Sequence, residues 1–429
     1  MCISEEMLED TSARCKKYSS ELDIICSLMR ISEAMLEDTF ARCKKYSSEL
    51  DIICSLMRIF AMLVQSNKTE IMKLTRLLTQ TILLLAVALM SGCTQLVYPK
   101  RYKKGFLYRE GTQLMLDGKP YSCASFNSFQ FCGCGHDYEL FSDEELDRLF
   151  ATLPDNIILR TWATPAFHHK TDLLVSLAEK HNVKLLLSLG DGRCGCGDFD
   201  GAINGDGNGK TPEWYEEGFR HQYLPHVISM VSRYKDSPAI AMWEIINEPG
   251  EAEWTVIRDF LHEVAATIKH YAPNHLVESG TFAGWAYEGY DNYKAMHDSP
   301  HIDVGNLHEY DYDYQNSNMI ESPHFKPCLK AMKELDKVLI VGETGINSGD
   351  DCRTSRQTRV EAMRKKFDVY LSGGAGAVFV WNLANKSKGC GFTFGTDDPL
   401  LQMILEYQEA NSARNTKDKH RHDARQRSK

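Results

Sequence analysis

The sequence predicts an α/β protein folded as one (β/α)8 TIM barrel, and three observations carry that expectation. From about residue 106 onward, short β-rich runs alternate with amphipathic stretches of helical length, the order that builds a parallel sheet covered by helices. Eight such runs can be counted, at 121–127, 156–162, 183–190, 239–247, 275–280, 303–308, 337–343 and 376–382. Several are apolar throughout, as strands buried on both faces are. The stretch 106–411 also supplies the length of an eight-fold barrel, about 250 residues or more. A doubly wound sheet would use fewer strands and a glycine-rich first turn, which is not found.

The helical stretches follow in order between the strands. The first, 142–153, opens with Ser142 as N-cap and Glu145 three residues on, the pattern of a capping box. Others are expected at 171–181, 218–234, 254–271, 325–336 and 355–371. Eight repeats in one run leave no second domain. A net charge of −10 argues against nucleic acid as a partner, because a phosphate-binding surface needs clustered Lys and Arg. The basic residues that do cluster lie in 412–429, a stretch almost without apolar residues and expected to be a disordered tail.

The front of the chain reads differently. Residues 3–30 recur at 31–58 with two differences, Glu6 against Ala34 and Ser12 against Phe40. A faithful pair without a third copy does not build a solenoid. The apolar positions keep no clean heptad register either, so a recent duplication is the preferred reading over a helical hairpin. Met72-Lys73-Leu74-Thr75-Arg76 then supplies a basic segment, 82–90 an apolar one, and Leu89-Met90-Ser91-Gly92-Cys93 ends it with small residues before a cysteine. This resembles a bacterial lipoprotein signal over 72–92, with Cys93 as the lipidated residue and 93–105 as a linker. The apolar run falls short of the ~20 residues a bilayer span needs. The expectation is therefore an exported lipoprotein starting at Met72, held at the membrane only through its lipid, with 1–71 not native. Eight of the fourteen cysteines then remain in the body: Cys123, Cys132, Cys134, Cys194, Cys196, Cys328, Cys352 and Cys390. An even number in an exported protein suggests disulfides.

In a parallel barrel the reactive side chains stand at the C-terminal ends of the strands. Read in order, those ends carry Asn127, Arg160-Thr161-Trp162, Asn247-Glu248-Pro249, Gly280, His308-Glu309-Tyr310, Gly342-Glu343 and Trp381-Asn382. Glu248 and Glu343 are placed to face each other across the barrel mouth. Hydrolysis of a glycosidic bond needs such a pair, one acid to protonate the leaving oxygen and one carboxylate facing the anomeric carbon.

The set Arg160, Trp243-Glu244-Ile245-Ile246-Asn247-Glu248-Pro249, His308-x-Tyr310, Gly342-Glu343-x-Gly345 and Trp381 resembles glycoside hydrolase family 5, the cellulase and β-mannanase family of clan A. Leu116-Asp117-Gly118-Lys119-Pro120 before the first strand is also typical, and the resemblance spans roughly 106–409. It implies a retaining mechanism without metal or organic cofactor. Glu248 would be the general acid/base and Glu343 the nucleophile. Arg160 would keep Glu343 ionised, and Asn247 would bond the sugar 2-hydroxyl. His308 and Tyr310 would orient nucleophile and sugar, and Trp381 would floor the pyranose ring. Arg160 as a plain ion pair and Trp381 as a core aromatic are the alternatives. Glu244 is read as structural, and Glu278 and Glu309 are unassigned. Thr344 departs from the bulky residue usual after the nucleophile, which bears on local subsite shape.

Arg160-Thr161-Trp162-Ala163 looks like the second-strand motif of β-1,4-mannanases, which places Trp162 with the substrate-binding residues and points to β-mannan over β-1,4-glucan. An inactive barrel that binds polysaccharide at the cell surface is the alternative from another class, and oligomeric state is left open. Trp214, Trp254 and Trp285 are candidate sugar platforms or packing residues. Phe131-Cys132-Gly133-Cys134-Gly135 and Arg193-Cys194-Gly195-Cys196-Gly197 follow strands one and three; disulfides pinning these loops are preferred over a thiolate metal site, which spaces cysteines more widely. Cys352 and Cys390 follow strands seven and eight and are a further candidate bridge. Asn204-x-Asp206-x-Asn208-Gly209 imitates a calcium loop, but Tyr215 stands where the bidentate Glu belongs, so a glycine-rich loop is preferred.

Overall fold

The computed structural model describes residues 102–133, 140–164, 168–193, 210–313, 317–349, 352–387 and 389–427. The repeat, the signal at 72–92, Cys93, Cys134, Cys194, Cys196 and the 204–209 loop lie outside the described residues.

Three short antiparallel strands come first, β1 (Leu107–Glu110), β2 (Gln113–Leu116) and β3 (Lys119–Tyr121). Asp117 and Gly118 join the last two with φ of 49° and 74°. Two positive-φ residues make the mirror-image turn whose twist matches a hairpin. Leu114 from this sheet packs against Gly376, at the start of the last barrel strand, and is fully buried.

The barrel strands are β4 (Cys123–Phe126), β5 (Ile158–Trp162), β6 (Lys184–Ser188), β7 (Ile240–Glu244), β8 (Leu276–Glu278), β9 (Val304–Glu309), β10 (Val338–Thr344) and β11 (Ala377–Val380). They match the eight expected runs, and every residue in them is buried. Neighbours pair in parallel in the order β4-β11-β10-β9-β8-β7-β6-β5. A bridge between Asn127 and Arg160 brings β4 back to β5, where Ser128 N donates to Arg160 O at 3.0 Å. The barrel is thereby closed without a free sheet edge at the site.

Around it lie α1 (Asp143–Phe150), α2 (His168–Lys180), α3 (Pro212–Glu216), α4 (Tyr223–Tyr234), α5 (Trp254–Tyr271), α6 (Tyr290–His297), α7 (Phe325–Glu334), α8 (Arg356–Gly373) and α9 (Pro399–Arg427). The capping box at Ser142 forms as expected. The stretch expected as one helix over 218–234 divides into a 3-10 turn, Gly218–Arg220, and α4. Starting at Tyr223 puts Pro225 in the first turn, where its missing N–H costs no helical bond.

The tail departs from expectation. Instead of ending in disorder at 412, α9 continues to Arg427. Its first half is anchored: Leu400, Ile404 and Tyr407 are buried, Gln408 Oε1 accepts from Ala124 N at 2.8 Å, and Asn411 bonds Ser122. No Gly or Pro between 412 and 427 interrupts the helix so started.

Cys352 and Cys390 are bridged, as expected of the loops after β10 and β11. Cys132 corrects the disulfide reading: it is a free buried thiol within 3.5 Å of Thr161 Oγ1, as are Cys123 and Cys328 free and buried. Even-number arithmetic cannot see that barrel packing encloses these three thiols.

Candidate active site

Arg160, fully buried on β5, organises the barrel mouth. Its Nε and Nη2 grip both oxygens of Glu244 at 2.5 and 2.7 Å, and Nη2 also reaches Asn247 Oδ1 at 2.8 Å. Its Nη1 donates to Asn127 Oδ1 at 2.8 Å and Glu343 Oε1 at 2.7 Å. One planar fork thus ties β5 to the ends of β4, β7 and β10. Glu244 is the deep, structural partner: although burial opposes its ionisation, Arg160 holds its carboxyl below the usual range.

Glu343 is held by a second donor, Tyr310 Oη, at 2.6 Å on Oε2. Burial raises its carboxyl above the ordinary value, while Arg160 and the Tyr310 bond pull the other way. Thr344, the residue that departs from the family pattern, donates to Glu309, which Lys366 also holds at 2.8 and 3.0 Å. Glu309 is therefore a buried ion-pair residue behind the nucleophile position.

Asn306 sets the tautomer of His308. Its Oδ1 accepts from the N–H groups of Leu307 and Gly342, so its Nδ2 must donate to His308 Nε2, at 3.1 Å. The proton of neutral His308 is then on Nδ1, aimed at Glu248 Oε1 at 2.8 Å and at Glu343 Oε2 at 3.6 Å. Burial pulls the imidazole down to about 4, so it stays neutral. Glu248, His308 and Glu343 could geometrically hold a metal ion, but the ring nitrogen they share carries a proton and is not a free ligand.

Glu248 follows β7 in a left-handed conformation, φ 47°, with its N–H on Gly280 O at 2.8 Å. Gly280 permits this approach: at φ 73° a Cβ there would lie 1.8 Å from Ile246 O. Burial, then the charge of Asp191, pushes the Glu248 carboxyl up to about 7. One oxygen of Glu248 and one of Glu343 lie within 4.8 Å of each other. Carboxyls about 5–5.5 Å apart suit attack by the second carboxylate, whereas about 6.5–9.5 Å would leave room for an intervening water. The arrangement joins an acid poised near neutrality to a carboxylate backed by a guanidinium.

Of the residues singled out at the strand ends, Asn127, Arg160, Asn247, Glu248, His308, Tyr310 and Glu343 meet here. Asn247 donates to Asp191 Oδ1 at 3.0 Å while accepting from Arg160. Half-buried Trp381 lies edge-on to buried Trp162, ring centres 5.7 Å apart, and beside Phe129. Trp162 in turn lies 4.9 Å from the Arg160 guanidinium. Of the three other tryptophans, Trp214 belongs to a packed cluster with Tyr215, Tyr223 and Phe260, and Trp254 is half-buried. Trp285 is 59% exposed and touches Phe282, which stands against His308. Sequence reasoning missed Asp191 and Asn306 as site residues, and it placed Asn127 at a strand end without giving it a role. The position of Asp191 just past the end of the third barrel strand was the available signal.

A parallel barrel bearing this carboxyl pair on its fourth and seventh strands is of the class that glycoside hydrolases use. Residues 198–376 match the family model "Cellulase (glycosyl hydrolase family 5)". The chain is 35% identical over 184 residues to "Probable mannan endo-1,4-beta-mannosidase F" of Neosartorya fischeri, covering 38% of this chain and 40% of that one. It is 32% identical over 223 residues to "Mannan endo-1,4-beta-mannosidase F" of Aspergillus clavatus, covering 48% and 51%. The chain spans about half the length of these curated relatives. The crystal structure of an endo-1,4-beta-mannanase from Rhizomucor miehei superposes with a TM-score of 0.58 at 20% identity, covering 72% of this chain and 99% of that one. That likeness establishes the TIM-barrel fold. The resemblance to glycoside hydrolase family 5 that the motifs carry is borne out.

Proposed function

We propose that the protein is a retaining, endo-acting β-glycoside hydrolase that cleaves β-1,4-mannan-type polysaccharide. The observation that carries the reading is the pair of carboxyls within 4.8 Å, one near neutrality and the other backed by Arg160. Glu248 protonates the glycosidic oxygen while Glu343 attacks the anomeric carbon, giving a covalent glycosyl-enzyme. Glu248, now ionised, takes a proton from water, which attacks the same carbon and releases Glu343. Asn247 bonds the sugar 2-hydroxyl, Tyr310 and His308 hold the two carboxyls, and Trp381 carries the apolar face of the ring. The mannanases among the relatives support mannan as the polymer.

Reducing-sugar release from mannan, glucomannan and carboxymethyl-cellulose tests the substrate class. Activity on mannan is expected. Activity on cellulose alone would keep the mechanism and change the substrate, and a folded protein silent on all three would favour a barrel that only binds polysaccharide. Export with a lipid on Cys93 is part of the same proposal, supported by the signal-like segment 72–92. Running the assay on membrane and soluble fractions checks it.

The protonation chemistry predicts a pH profile. Because Glu248 is raised to about 7, it remains an acid up to that pH and loses its proton above it. The basic limb of kcat/KM should therefore fall tenfold per unit above about pH 7. Asp191→Asn removes a negative neighbour, lowers the acid's pKa and should move that limb to lower pH. A limb that stays in place would detach Asp191 from the tuning of Glu248.

A further inference from the structure

Arg160 serves more carboxyls than its one charge can match. Besides Glu244 and Glu343, the buried carboxyl of Glu278 lies in its field. Glu278 is the register partner of Glu244 on the neighbouring strand β8, so the two side chains leave the same face of the barrel wall. Glu278 Oε1 accepts from Gly280 N at 2.7 Å and lies 3.5 Å from Ser279 Oγ. Its Oε2 is buried with no donor among the described residues.

Glu278 is the register partner of Glu244 and has a buried oxygen that no donor among the described residues reaches, and two carboxyls packed side by side away from water stay so only if one carries a proton. Both oxygens of Glu244 already face the guanidinium, so Glu244 is the anion. Among the described residues, the positive charge that acts on Glu278 is Arg160. His308 and His297 are pulled by burial to about 4 and about 3 and are neutral, and Tyr293 is held neutral by burial. Burial and the charge of Glu244 together keep Glu278 well above the usual carboxyl range.

We propose that Glu278 is a positioning residue: it holds a proton, donates it in a hydrogen bond to Glu244, and so leaves Arg160 shared with Glu343. The inference rests on Glu343 being the nucleophile. With its charge partly drawn off by Glu278, Glu244 competes less for the guanidinium. The Nη1 side of Arg160 then carries more positive charge toward Glu343, which keeps the nucleophile ionised. The device needs a proton at this place, not a charge.

The test uses two variants and a spectrum. Glu278→Gln keeps a donor of the same shape, and the acid limb of kcat/KM should match the unaltered enzyme. Glu278→Met removes the donor, leaves Glu244 undivided on Arg160, and should raise the acid limb by about half a pH unit or more. In the infrared spectrum, a protonated-carboxyl band should persist at about pH 9, above the titration of Glu248, and vanish in Glu278→Gln. An unmoved acid limb in Glu278→Met would overturn the proposal. So would a Gln variant shifted as far as the Met variant, or the absence of the band. An enzyme inactive on every polysaccharide would instead count against the proposed function, while the band would still report on the proton.

Discussion

Glu343→Ala is expected to lower kcat on mannan by about four to six orders of magnitude, the scale on which removing a covalent nucleophile acts. The fold should survive the change. Arg160 keeps its paired bonds to Glu244 and its contact with Asn127, and the cavity loses a buried charge that Glu248 repels. An activated aryl β-mannoside sharpens the test, because a good leaving group needs no protonation by Glu248. Glu343→Ala should be as impaired on it as on mannan, whereas Glu248→Ala should recover much of its kcat/KM, which reports the first step, while its kcat stays low because the water of the second step still lacks its base. Added azide, filling the space left by the carboxylate, should displace the aryl group and give the glycosyl azide of inverted anomeric configuration. Equal recovery of both variants on the activated substrate would take the nucleophilic role away from Glu343.

Why these two glutamates were legible, and some neighbours were not, has a physical basis. Glu248 and Glu343 stand at the ends of apolar runs that can only be buried parallel strands, and a barrel gathers such ends at one mouth. Arg160 shared that advantage. Asp191 and Asn306 did not, since their roles lie in what they touch across the barrel: Asp191 raises Glu248, and Asn306 orients the His308 proton. Glu278 was visible as a residue but not as a partner of Glu244, because register across β7 and β8 is no local property. The fold shows the same division. Eight strands and the Ser142 box were readable from periodicity and capping. The β1–β3 sheet escaped because strands of three or four residues carry too little alternation, although Asp117-Gly118 marked its turn. Helix α6 opens on Gly289 with no side-chain cap to announce it.

Arg160→Lys should cost both stability and rate, in contrast to Glu343→Ala. The guanidinium makes five hydrogen bonds, to Glu244 twice and to Asn127, Asn247 and Glu343 once each. A lysine keeps the charge but offers three donors from a single point, so it cannot grip Glu244 in a fork and also reach Glu343. Whichever carboxylate it abandons is left charged in a dry interior. Breaking a buried pair in that way costs about 3–5 kcal/mol, and denaturant unfolding at constant m-value should show a loss on that scale. If the abandoned group is Glu343, its pKa climbs, the acid limb of kcat/KM moves up, and kcat falls even where the variant is fully folded. If it is Glu244, the stability loss appears alone. The pH profile of the folded variant separates the two, because only Glu343 takes part in bond making. An Arg160→Lys enzyme that matches the unaltered one in both unfolding and pH profile would mean that the guanidinium is not the hub of the site.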